Sequence, residues 1–308
     1  MKLIELFSGV GSQYRALQNI GINITESYTS EIDKVCLNVY PLLNNHTPID
    51  LGDIRDITTI PQVDLLTYSF PCQDISNQGL GLGLYEGKKS SLLWEVGRIL
   101  ENNPLPTDLL MENVAAITQT KHIDGLKEWM SFLEKLGYIN YLFKLNATDF
   151  GIPQNRIRVF MVSRLKNDFV IPTGTKTDLR FHDIKSNFIP DKYWRDDCLV
   201  YLDRKTVGKE IRHQMISKEK YKFYCGRMVV LENSIIPTLT AVGDLSQVKV
   251  FDGDRMRHTT PLESVRLMGF NDDDYEKIKY LKDNKLRFIM GNSIVVNVLE
   301  AIFRNMFL

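Results

Sequence analysis

The stretch Glu5-Leu6-Phe7-Ser8-Gly9-Val10-Gly11-Ser12 decides the fold. The apolar residues from Leu3 to Phe7 predict a short strand, the two glycines predict a turn, and Ser12 to Ile20 can form a helix. A glycine turn between a strand and a helix lets a ligand approach the backbone N–H groups at the helix N-terminus. The dinucleotide fingerprint is incomplete, because Tyr14 stands at the position of its third glycine. The stretch therefore predicts an α/β unit with a ligand-binding turn, without identifying the ligand.

Strand and helix patterns alternate through the first half of the chain, which predicts a mainly parallel sheet covered by helices on both faces. The further predicted strands are Ile24 to Ser30, Asp64 to Ser69, Asp108 to Met111, Tyr138 to Leu145 and Val159 to Val162. The further predicted helices are Asp33 (as the cap) to Leu43, Ser91 to Leu100, Ile123 to Leu136, Pro261 to Met268 and Ile294 to Phe307.

The pattern changes after about Leu165, and residues 166–235 show no clean period. This region is basic and carries interleaved aromatic residues. Its basic residues include Lys205, Lys209, Arg212, His213, Lys218, Lys220, Lys222 and Arg227. Two interpretations are open: a solvated, irregular second domain, or a module that contacts phosphates and reads bases.

Composition and cysteine usage narrow the class of protein. The 308 residues include 38 Lys+Arg and 38 Asp+Glu, so net charge argues mildly against a wholly basic binding module. The four cysteines, Cys36, Cys72, Cys198 and Cys225, form no C-x-x-C pair, so we expect neither a metal site nor disulfides, and a reducing cytoplasm fits. We expect no signal peptide and no stretch of membrane-spanning length.

Phe70-Pro71-Cys72-Gln73 follows the apolar run from Val63 to Ser69, which reads as a buried strand stopped by Pro71. A cysteine in a turn at a strand end is held rigidly yet remains reachable, as a nucleophilic thiolate must be. The alternative is a half-buried structural cysteine, because free cysteine is among the most buried residue types.

Other polar residues stand near the ends of predicted strands. Glu31 follows the second strand, where a carboxylate can bind ribose hydroxyls, and Asp53 precedes the third strand, where a carboxylate can meet an adenine amino group. The alternative for each of them is a surface carboxylate. Glu112 lies in Met111-Glu112-Asn113-Val114 at the end of another strand. Ligands of doubly wound sheets bind beyond the carboxyl ends of the strands, so Glu112 and Cys72 are predicted to face one cleft. Gln154-Asn155-Arg156-Ile157-Arg158 precedes the next strand, and its two arginines point the same way if the backbone is extended.

Taken in order, these motifs resemble the DNA cytosine-5 methyltransferases of the bacterial and phage restriction-modification type. The set is completed by Pro237 to Ala241, by Thr260 to Phe270 (Thr-Pro-x-Glu-x-x-Arg-x-Met-Gly-Phe) and by Gly291-Asn292-Ser293. The resemblance covers the chain except residues 166–235. It implies an α/β fold with a doubly wound mixed sheet of the S-adenosylmethionine-dependent methyltransferase type, plus a smaller, irregular, β-rich target recognition domain. The implied domains are 1–165 plus 286–308 (catalytic and cofactor-binding), 166–256 (target recognition) and 257–285 (hinge and connecting helices).

The resemblance implies four catalytic residues. Cys72 would attack carbon 6 of a flipped-out cytosine, and Glu112 would engage ring nitrogen 3 and the exocyclic amine. Arg158 would contact the base oxygen, and Arg156 would position the loop and a phosphate or water. Carbon 5 would take a methyl group from S-adenosylmethionine. The glycine-rich segment from Gln78 to Leu84 would close over the base as a lid; its alternative is a surface loop.

The implied binding residues form two sets. The cofactor set is Phe7, Gly9, Gly11, Glu31, Ile32, Asp53, Ile54, Pro71, Asn292 and Ser293. The DNA set is Gln73, Ser76, Lys89, Gln154, Thr238 and Thr240. Two departures from the family pattern are Lys89-Ser90, where Arg is frequent, and Ile32, which preserves an apolar contact to adenine but not stacking.

Two other functions stay open at this point: an RNA cytosine-5 methyltransferase and a catalytically inactive DNA-binding regulator. The partners expected for the DNA enzyme are double-stranded DNA and a cognate restriction endonuclease that acts separately. We expect a cytoplasmic monomer, bacterial or phage-encoded, that does not associate with membranes.

Overall fold

The structure is a computed structural model that describes residues 1–71, 92–166, 168–195, 198–199, 223–224, 229–241, 248–253 and 255–308. The chain divides into two compact units. The larger unit comprises Met1–Asn146, Ile157–Thr173 and Val296–Leu308, and the smaller unit comprises Ala147–Arg156 and Gly174–Val295. These bounds differ from the predicted functional domains, since 147–156 and 257–295 group with the smaller unit. The functional division stays a prediction.

The larger unit contains a seven-stranded mixed sheet. Its strands are β1 (Lys2–Leu6), β2 (Glu26–Ser30), β3 (Ile49–Asp50), β4 (Leu65–Tyr68), β5 (Asp108–Val114), β6 (Ile139–Asn146) and β8 (Ile157–Arg164), whereas β7 (Gln154–Asn155) belongs to the smaller unit. The order across the sheet is β3-β2-β1-β4-β5-β8-β6. Strands β1 to β5 run parallel, and β8 is antiparallel to both β5 and β6. The sheet order reverses between β1 and β4, which is where such folds bind ligands.

Helices lie on both faces of this sheet. They are α1 (Ser12–Asn19), α2 (Lys34–Asn44), α3 (Leu92–Asn102), α4 (Thr120–Lys135) and, at the end of the chain, α9 (Val296–Phe307), which packs on α1. Leu126, Trp129 and Leu133 form an apolar stripe at helical spacing on α4, so this helix buries that face in the core with α3. The Trp129 indole N–H donates to the Tyr68 hydroxyl at 3.0 Å. The predicted doubly wound mixed sheet is confirmed.

Side chains alternate across β1, and this alternation sets up the site. Ile4 and Leu6 belong to the core under α3 and α4, so Leu3 and Glu5 point to the opposite face. There Glu5 meets side chains and backbone of α1 and α2. The predicted cap of α2 is also confirmed, since the Asp33 carboxylate accepts from the Val35 N–H at 2.7 Å.

The smaller unit is β-rich with short helices. The three-stranded sheet orders β11 (Val229–Leu231), β13 (Lys249–Asp252) and β14 (Arg255–His258); β7 pairs with β12 (Ile236–Pro237), and β9 (Cys198–Leu199) pairs with β10 (Phe223–Tyr224). The helices are α5 (Phe181–Ile184), α6 (Pro261–Arg266), α7 (Asp272–Ile278) and α8 (Asp283–Asn292).

A buried carboxylate, Glu263, organises the smaller unit. Glu263 and Thr260 form a capping box at the start of α6, with Thr260 N–H donating to Glu263 Oε2 at 2.6 Å. The same carboxylate accepts from the fully buried Arg257 at 2.8 and 2.9 Å and from the Ser186 N–H at 3.0 Å. The Thr-Pro-x-Glu part of the family motif is therefore explained by local packing.

One segment corrects the expectation about membrane-spanning length. Among the described residues, Asp283–Phe307 is long and apolar enough to cross a membrane by length and composition, with a mean hydropathy of 1.5 over its best window. However, 67% of that window is buried inside the protein, and the core helix of a soluble protein meets the same criterion. The segment also consists of two helices, α8 and α9, interrupted at 293–295. The predicted helix from Ile294 to Phe307 is confirmed as α9, which begins two residues later.

Candidate active site

The glycine turn after β1 has an unusual backbone. Phe7, Gly9 and Gly11 all have positive φ angles, of 58°, 54° and 78°. Such a conformation is uncommon for a non-glycine residue, and Phe7 is held in it by donating its N–H to the Ser30 carbonyl at 2.8 Å. A Cβ on Gly9 would meet nothing within 4 Å, so a ligand could approach its backbone there. All three residues are in the predicted cofactor set.

Glu31 is tied to this turn. Its Oε2 accepts from the Gly9 N–H at 2.9 Å, and its Oε1 accepts from the N–H groups of Ile32 and Asp33 at 2.8 Å each. A carboxylate offers about four acceptor positions, so one remains on Oε2 for a ligand hydroxyl. Ile32 is 72% exposed beside it and offers an apolar surface at the same place. The structure thus brings five predicted cofactor residues together, namely Phe7, Gly9, Gly11, Glu31 and Ile32.

Asp53 lies at the start of a 3-10 turn, Ile54–Asp56. It accepts from the Arg55 N–H at 3.0 Å and forms an ion pair with the Arg55 guanidinium. The hydrogen bonds from Arg55 lower the pKa of Asp53 to about 2, so the carboxylate is ionised at neutral pH. Ile54, which was also predicted to contact the cofactor, is only 4% exposed and packs in the core.

The strand that leads to Cys72 is fixed to the strand that carries Glu112. The buried Asn113 side chain donates to the Phe70 carbonyl at 3.1 Å, and β4 pairs with β5 in register up to Tyr68 and Met111. Pro71 is half-buried at this strand end. Cys72 itself, Gln73, Ser76, Lys89 and the predicted lid from Gln78 to Leu84 lie outside the described residues.

Glu112 and Arg158 form an ion pair at the carboxyl end of β5. The distance from Arg158 Nε to Glu112 Oε1 is 3.2 Å, and their side chains are 15% and 12% exposed, respectively. The sheet register explains the contact: Val114 lies opposite Arg158, so Glu112, two residues earlier, is its diagonal neighbour on the same face. The pair is partly desolvated and retains access from outside.

Arg156 has a different environment, in the smaller unit. Its guanidinium is nearly buried and donates to the carbonyls of Leu239, Gly291 and Ser293 at 2.8, 2.9 and 2.7 Å. A Cβ on Gly291 would lie 2.7 Å from backbone atoms of Thr240 and Ala241. Three motif segments therefore converge around Arg156, an arrangement that fits the positioning part of its predicted role.

The remaining predicted residues are distributed unevenly. Gln154 is fully buried: its amide donates to the Leu267 carbonyl at 2.8 Å and accepts from the Leu239 N–H at 2.9 Å. A DNA contact would require this amide to leave both partners. Thr238 and Thr240 are half-buried, and Thr238 donates to the Asn155 carbonyl at 2.7 Å. Asn292 is exposed and Ser293 is buried, both in the smaller unit.

Sequence reasoning missed three residues that shape the site, namely Glu5, Tyr40 and Asn113. Asn113 was part of a quoted motif without a role. Glu5 carried a signal, because a carboxylate inside an apolar strand is unusual. Tyr40 offered none, because an aromatic residue on a helix usually reads as core. Within the described parts of the chain, no group of three His, Cys, Asp or Glu side chains could hold a metal ion.

Comparisons with known proteins extend these observations. Residues 1–308 match the family model described as C-5 cytosine-specific DNA methylase. The chain is 40% identical over 267 residues to the orphan methyltransferase M.SssI of Spiroplasma monobiae, covering 82% of this chain and 68% of the relative. It is 31% identical over 310 residues to the type II methyltransferase M.HaeII of Haemophilus aegyptius, covering 99% and 92%. A solved methyltransferase structure from Entamoeba histolytica superposes with a TM-score of 0.75 at 18% identity, covering 100% and 98%, and supports the fold.

Proposed function

Because this chain belongs to the C-5 cytosine-specific DNA methylase family, as its motifs predict, we propose that it methylates carbon 5 of a flipped-out cytosine within a specific short sequence of duplex DNA. The observation that carries the proposal is the Glu112–Arg158 pair beside the strand end that leads to Cys72. Charged groups that are held in place at a strand end can stabilise the charge that develops in a transition state without having to reorganise.

The chemistry follows from these side chains. The Cys72 thiolate forms a bond to carbon 6, the electron pair of the 5,6 double bond forms a 4,5 double bond, and the electron pair of the 3,4 double bond moves onto ring nitrogen 3. A proton or a hydrogen bond from the Glu112 carboxyl offsets the negative charge on nitrogen 3, while Arg158 holds Glu112 and contacts the base oxygen. Carbon 5 becomes nucleophilic; S-adenosylmethionine, when bound, supplies the methyl group. Loss of the carbon 5 proton and cleavage of the carbon 6–sulfur bond then regenerate the thiolate.

The described residues of the larger unit fit S-adenosylmethionine. Gly9 leaves open space beside its backbone, Glu31 retains an acceptor position for a ribose hydroxyl, and the ionised Asp53 suits an adenine amino group. Ile32 gives an apolar surface for the adenine ring. These observations support the cofactor assignment; the assignment of Asn292 and Ser293 to the cofactor set stays a prediction.

The biological setting is proposed from the same family. Several curated relatives are named type II methyltransferases, so we propose a restriction-modification or phage-protection role, with any cognate endonuclease acting separately on double-stranded DNA. We further propose that residues 166–256 contain the target recognition domain, that 1–165 with 286–308 form the catalytic domain, and that the protein acts as a cytoplasmic monomer. Gln73, Ser76, Lys89, Thr238 and Thr240 are proposed to contact DNA.

The test is trapping on DNA that contains 5-fluorocytosine, since fluorine at carbon 5 blocks the elimination step. We expect the wild-type protein with S-adenosylmethionine to form a covalent adduct that survives denaturing electrophoresis. Cys72→Ala should form none, and Glu112→Gln should form it far more slowly. Cys36→Ala, which alters a buried cysteine of α2, is the matched control and should form the adduct normally.

Two outcomes would contradict the proposal. An adduct that persists in Cys72→Ala would move the nucleophile elsewhere. If the wild-type protein neither forms an adduct nor methylates duplex oligonucleotides, the enzyme proposal fails; methylation of tRNA in place of duplex DNA would favour the RNA alternative.

A further inference from the structure

Glu5 is a carboxylate in the middle of the core sheet. It is fully buried, and its neighbours in register are Thr29 on β2 and Thr67 on β4. Both hydroxyls are buried and have no hydrogen-bond partner among the described residues. Burial of a charge at such a position is unfavourable, and it raises the pKa of Glu5 to about 7. The presence of a carboxylate at this buried position therefore has to be explained by the groups that it binds.

One partner of Glu5 is the first turn of α1. The Tyr14 N–H donates to Glu5 Oε1 at 3.2 Å. Tyr14 is the third residue of α1, and its N–H would ordinarily be satisfied by the side chain of the residue before the helix. That residue is Gly11, which has no side chain to offer. Glu5 therefore replaces the missing cap from the strand beneath, where a negative charge also suits the helix dipole.

The other partner of Glu5 is Tyr40 of α2, whose hydroxyl donates a hydrogen bond to Oε2. The Tyr40 ring lies directly against Gly11: a Cβ on Gly11 would overlap the ring and lie 2.6 Å from Asn44 Nδ2. Asn44 in turn donates to the Val10 carbonyl at 2.9 Å. Glu5, Tyr40 and Asn44 thus support the turn from below, while the Gly9 N–H above it binds Glu31.

We infer that Glu5 is a positioning residue for the methyl transfer reaction: as a carboxylate bonded to Tyr40 and to the Tyr14 N–H, it fixes the turn from Phe7 to Gly11 in the shape that receives the cofactor. Glu5 acts through the turn and touches neither the cofactor nor the base. The inference rests on the proposed function, because it assigns the turn to S-adenosylmethionine.

A consequence is that cofactor affinity depends on the ionisation of Glu5. The titratable groups that face it are Tyr40 from α2 and Tyr14 from α1, and both have raised pKa values, chiefly through burial. His46 stacks on Tyr14 with ring centroids 4.8 Å apart, and burial lowers the pKa of His46. Between pH 6 and 8, Glu5 is therefore the group of this cluster whose charge changes most.

The experiment measures the dissociation constant of S-adenosylhomocysteine for the full chain, without DNA, between pH 6 and 8. If the protonated form binds poorly, wild-type affinity should fall about tenfold from pH 8 to pH 6, because the competent fraction falls by that factor. Glu5→Gln should bind more than tenfold more weakly than the wild type at pH 8 and show no such pH dependence. Glu26→Gln, the same change at an exposed carboxylate of β2, is the matched control and should follow the wild type.

Tyr40→Phe gives an independent test, because it keeps the ring under Gly11 and removes only the hydroxyl. The hydrogen bond from Tyr40 lowers the pKa of Glu5, so its loss should move the midpoint of the affinity profile to higher pH. An unchanged midpoint would overturn the inference, as would Glu5→Gln binding with wild-type affinity and pH dependence. Wild-type protein that does not bind S-adenosylhomocysteine at any pH would instead refute the proposed function.

The two variants also separate positioning from folding. Glu5→Gln removes the unfavourable burial of a charge, so it should unfold at a temperature no lower than that of the wild type at pH 8. Weaker ligand binding by a protein of equal or greater heat stability is the result expected of a positioning residue. A parallel loss of binding and of heat stability in both variants would overturn the assignment and make Glu5 a purely structural group.

Discussion

Arg156 and Arg158 are two residues apart, and the structure predicts opposite consequences for replacing each with lysine. Arg156 is only 3% exposed, and its guanidinium donates to three carbonyl oxygens at 2.7 to 2.9 Å. A lysine ammonium is a single point at the end of a flexible chain, so it cannot reproduce this fork. We expect at least two of the three carbonyls to lose their donor in Arg156→Lys.

The magnitude follows from the cost of an unsatisfied buried acceptor, about 1–3 kcal/mol each. Arg156→Lys should therefore lower the free energy of unfolding by about 2–5 kcal/mol. Arg158→Lys should lower it by less than about 1 kcal/mol, because the Glu112–Arg158 pair is partly exposed to solvent. Its effect should appear in kcat, since Arg158 is proposed to touch the base and to hold Glu112.

The assay combines urea unfolding, followed by circular dichroism, with methyl transfer to duplex DNA at a temperature where both variants are folded. The expected pattern is a large shift in unfolding midpoint with a modest kcat change for Arg156→Lys, and the reverse for Arg158→Lys. Wild-type stability in Arg156→Lys, combined with a kcat loss as large as that of Arg158→Lys, would refute this reasoning and place Arg156 at the reacting base.

Three further predictions concern the larger unit. Gly11→Ala should lower the melting temperature more than Gly21→Ala does. Both positions have a positive φ, which costs an alanine about 1–2 kcal/mol, but only the methyl group at position 11 would also overlap Tyr40. Equal losses in thermal melts would contradict this. Glu5→Gln should be about 3 kcal/mol more stable than wild type at pH 8, since burial raises the pKa of Glu5 from 4.5 to about 7. The stability contributed by protonated Glu5 is present below pH 4.5 and is lost as the pH rises through 7, so the difference between the two proteins should vanish in acid-range urea titrations. Arg98 donates to the carbonyls of Ile57 and Ile54 at 2.7 and 3.0 Å and so supports the turn after Asp53. Arg98→Met should therefore weaken S-adenosylhomocysteine binding about fivefold in titrations. The kcat at saturating cofactor should not change.

The sheet and the positions of its longer strands could be predicted from the sequence, because hydrophobic runs and glycine turns are local signals. The ends were less well predicted, since β5 continues to Val114 and β8 spans Ile157–Arg164. The Glu112–Arg158 contact is not a local signal, but the order of the motifs along the chain predicted it. Both residues were predicted to act at one site, and the strand pairing places them together. The short strands β3 and β7 were missed, since two residues give no period.

The different roles of Arg156 and Arg158 could not be predicted from their spacing. The alternation argument assumes one continuous strand, but the strand is interrupted at Arg156, between β7 and β8. The assignment of residues 147–156 to the smaller unit likewise depends on pairing between Gln154 and Ile236, which are far apart in sequence. Burial of Gln154 follows from the same pairing, and no local pattern carries that information.

Glu263 has an evolutionary consequence. One carboxylate begins α6, pairs with the buried Arg257 and binds the Ser186 backbone. Its replacement would leave Asp252 as the one carboxylate paired with Arg257 among the described residues, and would remove the acceptor of the Thr260 and Ser186 N–H groups. Substitution at position 263 is therefore expected to require compensating changes at the positions that it contacts. These contacts join β14, the start of α6 and the backbone at Ser186 through one side chain, so a substitution at position 263 would act on three segments of the smaller unit together.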